Sequence, residues 1–409
     1  MKKIINTIAL FLVIIQANGQ QVTLNEAQEF VDSWLLKKNN QYVVEKIDSV
    51  KSDDITIFFN CSLKPSGYIL ISGEKSSRPI IGYSLTNKFD TANLPSAIKF
   101  SINEYEKRIL NIQTEERTIH PDWNLNKPTL KSTKSSVEPL IQTQWNQSYP
   151  YNANCPSNAP AGCVAIAIAQ LMKFYNYPSH GLNENTYTST YYGMQSADFK
   201  SAEYDWTDMP NTTSDLNEEI AELIYHCGVS VNMNYTPSGS DASTGAVIDA
   251  MVDYFGYNKK SEEILFTSQD TALWLEMLVN ELDNNHPVIY GGSTEINFGE
   301  AHMFIIDGYD EDGLFHINWG WGGSSDGYYY LQDIVWQYRQ RGYFNLYPPQ
   351  LRAAFEVDTT FGTSPLNVNF LDYSLYNIET ITKWEWDFNN DGIIDSEESN
   401  PSFTYNQFD

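Results

Sequence analysis

Four cysteines are all that 409 residues hold: Cys61, Cys155, Cys163 and Cys227. A chain of this size with so few is not a disulfide scaffold, and at least one thiol is then kept for its reactivity. Basic residues are scarce too, 25 Lys and Arg against 52 Asp and Glu, giving a net charge of −27. Such a balance argues against nucleic acid and against an anionic membrane surface as partners. Long apolar runs are missing beyond the first twenty residues, so no later membrane span is expected. Those first residues, "MKKIINTIALFLVIIQANGQ", place Lys2 and Lys3 before an apolar run from Ile4 to Ile15 and small or polar residues up to Gly19. That is the pattern of a signal peptide over residues 1–19, and it predicts a secreted or cell-surface protein.

What the chain does have is apolar material for real cores, 42% hydrophobic and 14% aromatic residues, and a stepped charge. Residues 20–135 carry 15 basic against 14 acidic residues, residues 136–350 carry 6 against 27, and residues 351–409 carry 2 against 11. The steps predict three domains with those boundaries. In the first, "VTLNEAQEFVDSWLLKK" has helical spacing, the runs "YVVEKI", "ITIFF", "GYILIS" and "PIIGYS" read as strands, and "LPSAIKFSINEYEKRILNIQ" reads as a second helix. This is an α+β module. Residues 124–139, "NLNKPTLKSTKSSVEP", lack periodicity and read as an exposed linker, with cleavage expected between 130 and 137.

In the acidic middle segment, Pro160, Ala161 and Gly162 precede Cys163, and "VAIAIAQLMKFY" follows as an apolar helix. Cys163 then occupies the first turn, where free N–H groups and the helix dipole favour a thiolate. Position alone leaves two readings, a nucleophile or a buried structural cysteine. A nucleophile needs a base. Of the six histidines, His120, His180, His226 and His286 sit in settings that suit structural roles. His302 opens the strand "HMFIIDGY", and "LFHINWG" returns as its hairpin partner after a turn at Asp310 to Gly313. His316 lies inside that second strand and reads as a core histidine, so His302 is the better base. Asn318 and Trp319 come at the hairpin's end, where an amide can orient the imidazole and an indole can shield the bond. An oxyanion formed at Cys163 needs donors. The Cys163 N–H is one, and Gln147 is preferred to Gln142 and Gln144 as the other because it lies nearest the turn-rich approach to Cys163.

The blocks "NQ…PYN…GCVAIAIAQLMKFYNYP…HMFIIDGYD…FHINWGWGGSSDGYYYL" resemble the streptopain family of secreted bacterial cysteine peptidases. Upstream, "GYILISGEKSSRPIIGYSLTNKFD" resembles the inhibitory propeptide of the same family. The resemblance implies an α+β, papain-like domain at 136–350, an inhibitory propeptide at 20–135, and Cys163, His302, Gln147, Asn318 and Trp319 in the roles already assigned. It further implies a zymogen that hydrolyses proteins or peptides through a thioester, with a hydrophobic residue preferred two positions before the scissile bond. No cofactor is needed for that chemistry. A papain-fold amidase or transpeptidase would use the same dyad, and a noncatalytic binding protein would use Cys163 only structurally. Cys155 has no place in the family pattern. It reads as an ordinary loop or core cysteine, or as half of a bridge with Cys227.

The last segment, with "WEWDFNNDG" and "NPSFTY", resembles the start of a PKD domain, so a partial β-sandwich is expected at 351–409. Within it Asp387, Asn389, Asp391, Asp395 and Glu398 follow the spacing of a twelve-residue calcium loop with Gly392 at its turn. Strand-like flanks leave two readings, a calcium loop within a sandwich or an acidic β-turn.

Overall fold

The computed structural model describes residues 20–38, 41–92, 94, 96–112, 118–124, 136–267, 270–295, 300–334, 336–376 and 381–406. The leader expected at 1–19, and residues 130–135 of the expected cleavage segment, lie outside the described residues. The chain divides into two compact units, 1–132 and 133–409, the first break falling close to the step in charge.

The first unit starts with α1 (Leu24–Lys38), whose buried Ala27, Phe30, Val31, Trp34 and Leu35 follow the i, i+3, i+4, i+7 rhythm of a one-sided helix. Thr23 and Glu26 close its N-terminus reciprocally. The Thr23 hydroxyl accepts the Glu26 N–H at 3.3 Å, and the Glu26 carboxylate accepts the Thr23 N–H at 2.9 Å. Four antiparallel strands follow in sequence order, β1 (Val43–Ser52), β2 (Ile55–Lys64), β3 (Tyr68–Ser72) and β4 (Ile80–Ser84). Next comes α2 (Ser96–Ile112). Cys61 is buried in β2.

In the second unit, α3 (Cys163–Tyr175) is apolar on all sides and buries every residue from Val164 to Met172, as a central helix must. A hairpin of β5 (Glu184–Ser189) and β6 (Gly193–Asp198) follows, then α4 (Glu218–Ser230), α5 (Ala246–Asp253), β7 (Glu262–Leu265) and α6 (Thr271–Asp283). The remaining strands are β8 (Val288–Ser293), β9 (Ala301–Tyr309), β10 (Phe315–Asn318), β11 (Gly327–Tyr329) and β12 (Tyr338–Phe344). Within this unit they pair antiparallel in the order β11-β10-β9-β8-β12-β7. One side of α3 packs against β9 and β8, and α4 packs against α3. The turn between β9 and β10 closes at Asp310 to Gly313, with Gly313 at φ +84°. All four cysteines are free, so the Cys155–Cys227 bridge is not formed; the Cys227 sulfur lies 3.7 Å from that of Met172 instead.

Beyond residue 350 run β13 (Leu351–Arg352), β14 (Phe355–Val357), β15 (Leu366–Asp372), β16 (Leu375–Tyr376) and β17 (Ser402–Tyr405). The sandwich expectation meets, among the described residues, a β13–β16 pair and a β14-β15-β17 sheet. The first part of this segment does not stand apart as the charge step suggested. Leu375 is only 1% exposed and belongs to the same apolar core as α3. It sits over Gly256, where a Cβ would come within 2.3 Å of the Leu375 Cδ1. Arg352 donates to the Val252 carbonyl, Lys200 pairs with Glu356, and the His180 and Tyr373 rings meet edge-on at 5.6 Å.

Four side chains of the expected calcium loop accept from backbone N–H groups of the same loop. Asp387 accepts the N–H groups of Asp391 and Gly392 at 3.2 and 2.8 Å, Asn389 accepts Asp391 N–H at 3.0 Å, Asp391 accepts Ile393 N–H at 2.8 Å, and Asp395 accepts Phe388 N–H at 2.7 Å. Among the described residues no group of three or more His, Cys, Asp or Glu is placed to hold a metal. Among the described residues, likewise, no helix is long and apolar enough to cross a membrane.

Candidate active site

Cys163 stands at the head of α3 because Gly162, at φ +89°, turns the chain into the helix there. At that φ an L side chain would be strained, and a Cβ would also come within 2.8 Å of the Met233 thioether. The approach is fixed from behind by Ala161, whose N–H donates to the Gln147 carbonyl at 2.9 Å. Gln147 is therefore brought beside the start of α3, half-buried. Asn152 braces the same loop by donating to the carbonyls of Asn158 and Ala159 at 2.7 and 3.1 Å.

The thiol behaves differently from the sequence expectation. Burial pushes it above its ordinary value, while backbone N–H groups of Met303, Val164 and Cys163 itself pull it back down. The helix terminus does supply donors, but desolvation by the packed surroundings outweighs them. His302, at the start of β9 and 6% exposed, is pushed down to about 4 by burial, with its hydrogen bond to the Trp319 backbone opposing that shift. Burial thus favours the neutral thiol at Cys163 and the neutral imidazole at His302.

The His302 Nε2 lies 2.9 Å from the Trp319 carbonyl oxygen. This corrects the role expected of Asn318, whose amide does not hold the ring. Asn318 Oδ1 instead accepts from Gln170 Nε2 at 3.0 Å and from the Gly320 N–H at 3.1 Å, and its Nδ2 donates to the Thr143 carbonyl at 2.8 Å. The shielding indole is also a different one in the first instance. Trp321 stacks on His302 with centroids 4.4 Å apart, Trp336 lies at 5.3 Å, and Trp319 at 6.2 Å. The loop carrying Trp319 and Trp321 approaches the rest of the site closely because it is made of glycine. Gly322 donates to the Trp145 carbonyl at 3.0 Å, and a Cβ on Gly323 would meet the Gln144 side chain at 2.7 Å.

Residues 145–329 match the Peptidase C10 family, and residues 19–109 match the Spi protease inhibitor family. The chain is 32% identical to streptopain from Streptococcus pyogenes over 302 residues, which span 67% of this chain and 73% of that protein. The chain belongs to the peptidase C10 family. It is also 28% identical over 365 residues to the thiol protease/hemagglutinin PrtT of Porphyromonas gingivalis, covering 81% of this chain but 41% of the relative. Among solved structures, a fragment of Prevotella intermedia prointerpain A superimposes with a TM-score of 0.61 at 27% identity, over 74% of this chain and 99% of that one. The fold is accordingly papain-like, preceded by an inhibitor-type propeptide domain, and the protein is a cysteine peptidase.

In this C10 peptidase a second set of buried titratable groups, His316, Asp307 and Asp326, is joined to Trp319 through Asp326. His316 Nδ1 sits 2.6 Å from Asp307 Oδ1, which confirms it as a core histidine, and Asp307 Oδ2 accepts the Ile141 N–H at 2.9 Å. Burial opposes the His316 charge, yet Asp307, with help from Asp326 and Glu138, holds it above its ordinary value. Asp326 Oδ1 accepts the Trp319 N–H at 2.8 Å. Burial pushes the Asp326 carboxyl up to about 7, with the Trp319 N–H and His316 opposing and Asp307 adding. A carboxyl raised in the folded state binds a proton that the unfolded chain releases, so its cost is absent below about pH 4, grows between 4 and 7, and is complete above 7. Asp326→Asn keeps the acceptor for Trp319 and removes that cost. Its stability relative to the parent should rise between pH 5 and pH 8, by about 3 kcal/mol for a shift of this size. Denaturant unfolding at the two pH values checks this, and an unchanged difference would remove Asp326 as a titrating group.

Proposed function

We propose that this C10 peptidase is a secreted endopeptidase, made as a zymogen, in which Cys163 and His302 form the catalytic dyad. The observation that carries the assignment is that α3, headed by Cys163, packs on β9, which carries His302 near its start, while the His302 ring nitrogen Nε2 is fixed by the Trp319 carbonyl. With Nε2 donating to that carbonyl, Nδ1 is the ring atom left to take the thiol proton. His302 removes the proton as the sulfur attacks the scissile carbonyl carbon, so the neutral pair becomes charged only as the bond forms. The oxyanion is received by the Cys163 N–H and the Gln147 side chain. The imidazolium then gives its proton to the departing amine, leaving a thioester on Cys163. Water, deprotonated by His302, attacks the thioester, releases the acid and restores the thiol.

Secretion rests on the leader pattern at 1–19, and the inhibitor-type domain supports synthesis as a zymogen. The substrates are proteins and peptides, and an apolar residue two positions before the scissile bond is the preference carried over from the family. The test is digestion of casein by the processed protein, with the cleavage sites read by mass spectrometry. Hydrolysis of small amides without any cleavage of casein would sink the endopeptidase reading. Within the site, Gln147→Ala should lower kcat by roughly 10- to 1000-fold with little change in KM, as loss of one oxyanion donor does. An unaltered kcat would take Gln147 out of the oxyanion hole.

A further inference from the structure

Gln170 lies two helical turns after Cys163 on α3, and seven residues at 3.6 per turn bring it back to the same side of the helix. It is 1% exposed, and nothing in the reaction just described touches it. Its amide is nonetheless fully directed. Gln170 Oε1 accepts the Trp145 N–H at 3.1 Å, and Gln170 Nε2 donates to Asn318 Oδ1 at 3.0 Å. Asn318 Oδ1 also accepts the Gly320 N–H at 3.1 Å, and that N–H belongs to the same peptide group whose carbonyl, on Trp319, faces the His302 Nε2 at 2.9 Å. Asn318 Nδ2 donates to the Thr143 carbonyl at 2.8 Å.

The direction of every bond in this series is fixed by backbone groups at its ends. The Trp145 N–H can only donate, so it must meet the oxygen of Gln170. The Thr143 carbonyl can only accept, so it must meet the nitrogen of Asn318. Neither amide can be flipped without setting donor against donor or acceptor against acceptor, in a place that water does not reach. One carboxamide on the cysteine-bearing helix therefore joins, through one more, the peptide plane that aims the histidine.

We infer that Gln170 is a positioning residue for catalysis, acting through Asn318 and the Trp319–Gly320 peptide to hold the His302 ring in register with Cys163. The inference rests on the Cys163–His302 reading above and adds to it a physical link between the two elements that carry the dyad. Without the Gln170 donor, Asn318 loses one of its anchors, the Trp319–Gly320 peptide can rotate, and the imidazole is no longer aimed at the sulfur.

The substitution that separates positioning from simple packing is Gln170→Glu. A carboxylate keeps the acceptor for Trp145 but presents a second acceptor to Asn318 Oδ1, whereas a protonated carboxyl restores the donor. Gln170→Met keeps the volume and supplies neither. The full chain is activated, and kcat, KM and the rate of Cys163 alkylation by iodoacetamide are followed from pH 4.5 to 8.5, with thermal unfolding measured alongside. For Gln170→Glu, kcat should approach that of the parent at the acid end and fall at least 10-fold relative to it as pH rises, with KM nearly constant. For Gln170→Met, kcat should be at least 10-fold lower at every pH, and the pH profile of alkylation should differ from the parent's. If both variants keep the parent's profile while remaining folded, or if both lose activity in parallel without any pH dependence of their ratio, Gln170 does not position the histidine. A parent enzyme that is not inactivated by alkylation of Cys163 would instead overturn the dyad itself, and the two failures are thereby distinguished.

Discussion

Cys163→Ala is expected to bring protein hydrolysis down to background, a loss on the order of a million-fold in kcat, with the fold intact. The size follows from the role: without sulfur there is no thioester, and the remaining oxyanion donors and His302 give only residual assistance. The stability change should be small. The side chain is half-buried at the head of α3, so truncating one atom leaves a minor gap. Purified variant and parent are compared by casein digestion and by thermal unfolding. Adding His302→Ala to Cys163→Ala should cost almost nothing more, because the two act as a unit. Measurable turnover by Cys163→Ala would mean that the thiol is not the nucleophile.

His302→Ala and His316→Ala should part company in kind as well as in size. Removing His302 deletes the proton acceptor, worth about 10²- to 10⁴-fold by itself and more where nucleophile and base act together. Activity should fall at least 1000-fold while the protein stays folded. Removing His316 instead strands Asp307, which is wholly buried and 2.6 Å from its partner. A buried ion pair broken on one side costs about 3–5 kcal/mol, so His316→Ala should lower thermal stability sharply. Below its melting point it should keep more turnover than His302→Ala. The reverse order, with His302→Ala active and His316→Ala folded but dead, would exchange the two histidines in the mechanism.

The start of α3 and the β9–β10 hairpin were legible because each depends on neighbours in the chain. Helical spacing after Gly162 and strand alternation around a turn are local patterns. Trp319 was also legible, though for an incomplete reason. Its indole was expected to shield His302, whereas its carbonyl oxygen orients the ring and Trp321 lies closest to it. Main-chain oxygen carries no side-chain signature, so reading the site from residue types favoured the Asn318 amide. The run "WGWGGSSDG" held the available hint, since alternating tryptophan and glycine leaves peptide groups exposed to pack on other elements. Gln170 was out of reach for a different reason. Its partner Asn318 lies 148 residues away, and nothing in spacing along the chain encodes that meeting. The thiol's upward shift was likewise hidden, because the burial that causes it arises only when the chain folds around Cys163.

The seat of Leu375 over Gly256 gives the catalytic unit a longer footprint than its charge profile draws. A polypeptide ended at residue 350 would open an apolar socket beside Tyr177 and Gly256, and it would also release the Val252 carbonyl from Arg352. Neither lesion touches Cys163 or His302. Both create a greasy notch on the outside of an otherwise strongly acidic body, the kind of blemish that makes copies of a protein cling to one another. A cut beyond Tyr376 would leave the β13–β16 pair behind as a cork, and its cost would fall instead on the β14-β15-β17 sheet, which loses β17 and bares one edge of β15.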